Sequence, residues 1–435
     1  MSNRPSIAIV VAPFALVALI LLQSPNFDTR DVQRAAPLGS DYLQEYVGSY
    51  IFTSQQANRL YDKEHSLAVQ HDVEVVGFTF PESDYYPMVY PPFYYLLLSP
   101  LTCFSYPVAM RLWMIGLGLC IAGFAWLMTR YFPPLEKYRS LTLVAILGFA
   151  PMFVSLTMAH KSVILLLILG GTFLLLHREK PLTAGLVFGL IAFKPHIAIP
   201  IGVAMLCKRQ WRFVAGAVAT VSILVALCFV RGPKPCIDYF WQCAGMGDYV
   251  HTGGYKLAEA HGISGVVRLM IDESAHPGVV NSLTTGLTII VLSMLVLGLR
   301  GPMDTKSTRF GLKFSMLVVA TALLSPHFYY YDLTILLLPI LLLGTMATGN
   351  ASSGDWGQTL SHGQRRGLLI LTVSLFLTAS FFTQLAQLTG IQLSLFLLLA
   401  LLGWSLKCLM QTEHGFSGRQ LERQIPPGNG RAISA

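Results

Sequence analysis

The chain has 435 residues, 54% of them hydrophobic and only 12% charged, and its mean hydropathy is +0.57; this excludes an ordinary soluble domain and indicates a polytopic membrane protein. The net charge of +8 invites a nucleic-acid reading, but the cations are not gathered on one soluble face. With the topology below, nineteen of the 30 Lys and Arg accompany six of the 22 acids on one side, while eleven accompany sixteen acids elsewhere, which is the positive-inside bias.

A crossing helix needs about 20 apolar residues, and twelve candidate runs follow in order. The first, 7–22, has no small-x-small cleavage site after Leu22-Gln23 and is read as a span and not as a signal peptide. An external loop over 24–106 precedes the second span, 107–128, and Arg130, Lys137 and Arg139 then mark the cytoplasmic side. Runs 141–157 and 162–176 form a pair around a short turn at Met158 to Lys161. The next run, 181–207, has basic residues at both ends, so a single crossing would put one cluster on the wrong side. A break at Lys194-Pro195 resolves this, because proline disfavours a helical conformation in the residue before it.

Run 213–230 leads to a second external loop, 231–277, and 279–299 returns. Runs 311–324 and 328–343 flank Ser325-Pro326-His327, and 367–382 with 391–409 complete the set. Residues 1–410 form one transmembrane domain with both termini cytoplasmic, and 411–435 read as a disordered cytoplasmic tail. The cysteines in or beside apolar runs read as small core residues. Cys236 and Cys243 share the second loop, where a disulfide and two free thiols are both open.

The first loop is where chemistry is expected. Over 26–106 it holds ten Asp and Glu against four Lys and Arg. Ser40 is a plausible N-cap for a helix beginning Asp41-Tyr42-Leu43-Gln44-Glu45-Tyr46. Tyr42, Tyr46 and Tyr50 recur at helical spacing along it. A first-turn carboxylate at Asp41 is kept ionised by the helix dipole; it serves either as a proton acceptor or simply as a cap. Leu60-Tyr61-Asp62 and Tyr90-Pro91-Pro92-Phe93 follow, then Ala109-Met110-Arg111-Leu112-Trp113.

That order of features resembles glycosyltransferase family 87, the polyprenol-phosphate-mannose-dependent mannosyltransferases of the C-type superfamily. The resemblance continues through Phe193-Lys194-Pro195, then Ser325-Pro326-His327 with Tyr331-Asp332. It departs where the family often shows Gly-Gln-x-Ser and this chain has Ala159-His160-Lys161-Ser162.

The resemblance implies an all-α C-type bundle of about twelve transmembrane helices with two external loops, in the plasma (inner) membrane. It also implies an active site on the external face, where a hexose, mannose in the family, passes with inversion from a polyprenyl-phosphate sugar to a glycolipid or polysaccharide acceptor. Asp41 matches the family's general base. A second task is to receive the departing phosphate. Lys194 is a candidate, since a charge beside an apolar run costs about 2.5 to 3.5 kcal/mol to insert, although a snorkelling lysine is the bland reading. His327 is a phosphate donor or a helix cap, and His160 and Lys161 are functional or snorkelling. Arg268 and Lys256, in a glycine-bearing second loop read as a lid or an acceptor-binding element, and Arg111 complete the cationic set. Tyr42, Tyr61, Asp62, Tyr90, Tyr331 and Asp332 are expected to line the substrate.

No cofactor is expected. The histidines lack zinc spacing, and no Asp-x-Asp cluster appears, so a metal is disfavoured. A pentosyltransferase using a polyprenyl-phosphate arabinose donor and a transporter of lipid-linked sugars are the competing readings. A transporter tends to set paired charges at the bilayer midplane, whereas these lie at expected external turns.

Overall fold

The protein is described from a computed structural model, which covers residues 40–78, 85–136, 138–245, 256–348 and 360–424. The expected first span, Lys137, Gly253-Gly254 and the last residues of the tail lie outside them. The described residues are almost entirely helical. Counting helices of seven residues or more, the first loop supplies α1 (Ser40–Thr53), α2 (Lys63–Gln70) and α3 (Pro92–Leu98). There follow α4 (Tyr106–Tyr131), α5 (Arg139–Gly148), α6 (Ala150–Thr157) and α7 (Ser162–His177). Next come α8 (Pro181–Gly189), α9 (Pro195–Cys207), α10 (Trp211–Cys228) and α11 (Lys234–Ala244). The remainder are α12 (Ile263–Met270), α13 (Pro277–Gly298), α14 (Thr308–Leu324) and α15 (Leu337–Thr348), then α16 (His362–Thr378), α17 (Phe382–Thr389) and α18 (Leu393–Gln424).

Eleven of the twelve expected runs coincide with these helices. Six helices are long and apolar enough to cross a membrane by themselves, or seven if α5 and α6, bent by 55° at their junction, count as one. The count of twelve is therefore not reached by length and apolarity among the described residues; α7, α8 and α9 are shorter apolar helices. Helix α18 continues to Gln424.

The break at Lys194-Pro195 is present. After α8 a short 3-10 turn over Leu190–Phe193 ends at Lys194, whose φ of −125° and ψ of 76° are not helical, and Pro195 opens α9. The two sides of this break are antiparallel, as the packing against α10 shows. A Cβ on Gly216 would fall 2.2 Å from the Leu182 carbonyl oxygen, and Thr220 Oγ1 donates to the Leu186 carbonyl at 2.9 Å. The pairs 182–216 and 186–220 advance together, so α8 and α10 run the same way and α9 must return between them. Backbones this close need small residues at the contact.

The basic turns gather at one end of the bundle. His177 Nδ1 donates to the Thr305 carbonyl at 2.8 Å, Lys306 pairs with Glu179 at 2.7 Å, and Lys208 donates to the Gly301 carbonyl at 2.6 Å. Buried Lys313 donates to the carbonyls of Arg300 and Pro302. Helix α7 runs from Ser162 to His177, so its first turn stands about 24 Å from this end.

The α8–α10 contact gives a direct prediction. Gly216→Leu should destabilise the protein by about 3 kcal/mol or more, because its first atom meets backbone and not a movable side chain. Gly286→Ala in α13, where nothing lies within 4 Å, should be neutral or stabilising by up to about 1 kcal/mol. Thermal unfolding in one detergent distinguishes the two, and equal melting of both variants would contradict the close contact.

Candidate active site

At the end of the bundle opposite the basic turns, five stretches bring charged and aromatic side chains together inside apolar packing. Helix α1 supplies Asp41 and Glu45, one turn apart on the same face. The turn between α6 and α7 supplies His160, Lys161 and Ser162. Lys194 comes from the α8–α9 break, and Tyr331 and Asp332 from a 3-10 turn, Tyr330–Leu336, leading into α15. Tyr90 precedes α3. Lys161, Glu45, Asp332, Lys194 and His160 are all buried.

Two ion pairs organise the cluster. Lys161 Nζ donates to Glu45 Oε1 and lies 3.7 Å from the centre of the Tyr90 ring. That ring's face supplies a second, cation–π contact. Lys194 Nζ donates to Asp332 Oδ1 at 2.6 Å, and the same oxygen accepts from Ser162 Oγ at 2.6 Å. Ser162 Oγ, whose proton goes to Asp332, lies 2.9 Å from His160 Nδ1, and the Ser162 amide donates to the same nitrogen at 3.2 Å. His160 Nε2 faces Lys194 Nζ at 3.4 Å. Burial, together with Lys194 and Lys161, holds His160 well below the ordinary histidine range. His160 also stacks on Tyr331 at 3.7 Å.

The turn that presents His160 and Lys161 is unusual in its backbone. Ala159 has φ of +52°, a left-handed conformation that favours glycine. It is fixed by the His160 amide donating to the Ser155 carbonyl at 2.7 Å, and by Trp113 Nε1 donating to the Ala159 carbonyl at 2.8 Å. Alanine therefore occupies this position at some strain. Ser155 in turn hydrogen-bonds the Tyr331 carbonyl and Thr334, which locks α6 to the Asp332 turn.

Asp41 is half-buried, and its Oδ2 atom is enclosed with no hydrogen-bond partner. Burial pushes its carboxyl up to about 6, against the opposing pull of Lys161 and Lys194, with Glu45 and Asp332 adding to the rise. Glu45 is likewise pushed up by burial and pulled back by Lys161, and its Oε2 is also unpartnered. His327 is half-buried in the turn after α14. Burial and then Lys194 press it down to about 4, so it faces the same cluster as a neutral ring. Its ring meets that of His196 edge-on at 6.4 Å.

The other expected site residues are placed elsewhere. Arg268 is spent on Glu273 at 2.7 Å and on Ser264. Lys256 is exposed and pairs with Glu259 at 3.5 Å. Arg111 is exposed on α4. Asp62 is exposed, caps α2 through the His65 amide, and pairs with Arg59 at 3.1 Å. Tyr42 and Tyr61 are wall residues. Tyr42 stacks on Tyr106 and Trp113, and Tyr61 Oη donates to the Tyr90 carbonyl at 2.6 Å. The described part of the second external loop packs against the turn after α14. The His261 amide donates to the Phe328 carbonyl at 2.8 Å, and a Cβ on Gly262 would fall 2.1 Å from the Ser325 carbonyl oxygen. Gly262 thus serves close packing and not mobility.

Sequence reasoning missed Glu45, Ser162 and His196. A signal for Glu45 existed in its i, i+4 spacing from Asp41, which was overshadowed by the tyrosine row. Of that row, Tyr42 and Tyr46 are buried but Tyr50 is exposed. Helix α1 begins at Ser40, within one residue of expectation. All cysteines are free thiols in the structure. Among the described residues no group of three or more His, Cys, Asp or Glu is arranged to hold a metal ion.

The profile of glycosyltransferase family 87 matches residues 88–326, more than half of the chain. The match includes Tyr90, His160, Lys161 and Lys194 but stops short of Asp41, Glu45 and Asp332. A solved structure, ArnT from Cupriavidus metallidurans in the apo state, aligns over 96% of this chain and 80% of its own at 11% identity and a TM-score of 0.33. A search of curated proteins returns no match.

The Lys161–Glu45 pair makes a testable statement about stability. Lys161→Met or Glu45→Leu alone leaves one buried charge without its partner and should cost roughly 3–5 kcal/mol, whereas the double variant should recover most of that loss. Thermal unfolding of the four proteins measures the coupling, and simple additivity of the two losses would mean that the pair is not formed.

Proposed function

Because the chain belongs to glycosyltransferase family 87, we propose that it transfers a hexose, mannose by the family's pattern, from a polyprenyl-phosphate sugar to a hydroxyl of a glycolipid or polysaccharide acceptor. The observation that carries this reading is the meeting of half-buried Asp41 with the buried Lys161 and Lys194 in one cluster. In the proposed step the acceptor hydroxyl gives its proton to the Asp41 carboxylate as its oxygen bonds to the sugar's anomeric carbon. The bond from that carbon to the phosphate oxygen breaks on the opposite face, inverting the centre. The electron pair leaves with the polyprenyl phosphate.

Charge grows on that phosphate as the bond breaks, and preformed cations in a low-dielectric site stabilise it most. Lys194 and Lys161 are those cations, with the neutral rings of His160 and His327 beside them. Both lysines already hold a carboxylate, so each is oriented before the phosphate arrives and needs little reorganisation. The cluster lies at the end opposite the basic turns, which the positive-inside bias assigns to the cytoplasm. That position supports a reaction on the external face of the plasma membrane. No step requires a cofactor or metal.

Asp41 with a carboxyl titrating near pH 6 must be ionised to accept a proton. Transfer should therefore rise with pH through about 6 and fall away below it, not persist down to about 4 as for an ordinary aspartate. In nanodiscs with radiolabelled polyprenyl-phosphate mannose and an acceptor-bearing membrane extract, Asp41→Asn should lower transfer about 10²- to 10⁴-fold. The same variant should melt at a higher temperature at neutral pH. A carboxyl whose folded pKa is raised favours the fold in its protonated form, so its ionisation as pH passes from about 4 to about 6 weakens the fold. Full transfer by Asp41→Asn would remove Asp41 from this role, and labelled donor moved across vesicles with no sugar transferred would replace the enzyme reading with transport.

A further inference from the structure

Helix α11 follows the span Trp211–Arg231 after only a Gly232-Pro233 turn, and it has two unlike faces. Ile237, Phe240 and Trp241 are 53%, 66% and 66% exposed and share one side at helical spacing. Pro235, Cys236 and Tyr239 turn inward, and Lys234 pairs with Asp238 along the flank at 2.6 Å. The chain is held here by Arg231, which donates to the Ser54 carbonyl at the end of α1. An exposed Phe-Trp-Ile face continuous with the last turn of a membrane span fits the boundary between lipid headgroups and acyl chains, where tryptophan is favoured.

The inward face leads to the site by successive contacts. The Tyr239 ring packs on Tyr61, 5.9 Å between centres. Tyr61 Oη holds the Tyr90 carbonyl at 2.6 Å, and the Tyr90 ring covers Lys161 at 3.7 Å. We propose that α11 lies in the outer lipid boundary and, through Tyr239 and Tyr61, positions Tyr90 over Lys161, so that contact with the bilayer orders one wall of the site. The occupant of the exposed face is lipid. Helix α11 and the two tyrosines act here as positioning elements and touch no reacting atom.

The test needs no sugar donor, so its failure is separate from failure of the proposed transfer activity. The full chain is placed in nanodiscs whose phospholipids are brominated near the carbonyl end of the acyl chains. The difference in fluorescence between the native protein and Trp241→Phe isolates one of the six tryptophans. That component should be lost in brominated lipid and kept in ordinary lipid. If it is unchanged, or if it is shielded only in a cross-linked dimer, a second copy or solvent covers the face and the proposal fails. In the second arm, Phe240→Ser with Trp241→Ser should raise amide hydrogen exchange over 88–95 by about threefold to tenfold, reflecting local opening. Exchange over 308–324 should not change, and Phe240→Leu with Trp241→Leu, which keeps the apolar face, should restore protection. Unaltered exchange over 88–95 would sever α11 from the site and overturn the positioning role.

Discussion

Two ammonium groups buried in apolar packing, each held against a carboxylate, set the terms for the rest of this structure. A lone charge at such depth costs several kcal/mol, so Lys161 and Lys194 dictate where their partners must be. Those partners lie 116 and 138 residues away along the chain. The pairs therefore draw α1, the α6–α7 turn, the α8–α9 break and the turn before α15 to one place. Ser162, His160 and Tyr331 complete the enclosure by hydrogen bonding and stacking.

Placing polar groups at this depth requires interruptions in the helices, because backbone at membrane level is otherwise satisfied only within a helix. Three of the charged cluster residues sit at such interruptions. Lys161 follows the left-handed Ala159, Lys194 precedes Pro195, and Asp332 lies in a 3-10 turn after Ser325-Pro326. The freed backbone groups are taken up locally: Ala159 by Trp113, Tyr331 by Ser155, and the Tyr329 amide by Asp332. Interruption and chemistry thus share the same residues. The opposite end repeats the device with another purpose, since Lys208 and Lys313 use their amines to satisfy carbonyls at the α13–α14 connection.

The site also holds groups at a cost to the fold. Asp41 and Glu45 each keep an enclosed oxygen without a partner, and Ala159 occupies a conformation suited to glycine. Such features persist where the surroundings over-determine them. Close-packed glycines at 185, 189 and 216 provide that rigidity on the α8–α10 side, where added atoms would collide with backbone or Thr220.

The sequence alone determined that the chain is a helical membrane protein. Apolarity at span length and the uneven distribution of Lys and Arg are properties of composition that no tertiary contact is needed to read. It also showed the break at Lys194-Pro195, because proline acts on its own neighbour, and it made Asp41, Lys194, Lys161, His160, His327 and Asp332 candidates through local order and resemblance. It did not separate them from Arg111, Lys256, Arg268 and Asp62, which have the same charge chemistry at similar loop positions. That separation is a matter of partners and burial. Arg268 is spent on Glu273 and Asp62 on capping α2, and the pairing of Glu45 with Lys161 spans 116 residues. Only the tertiary structure decides which charges are enclosed together, because the cost of burying a charge depends on what packs around it and not on its neighbours in the chain.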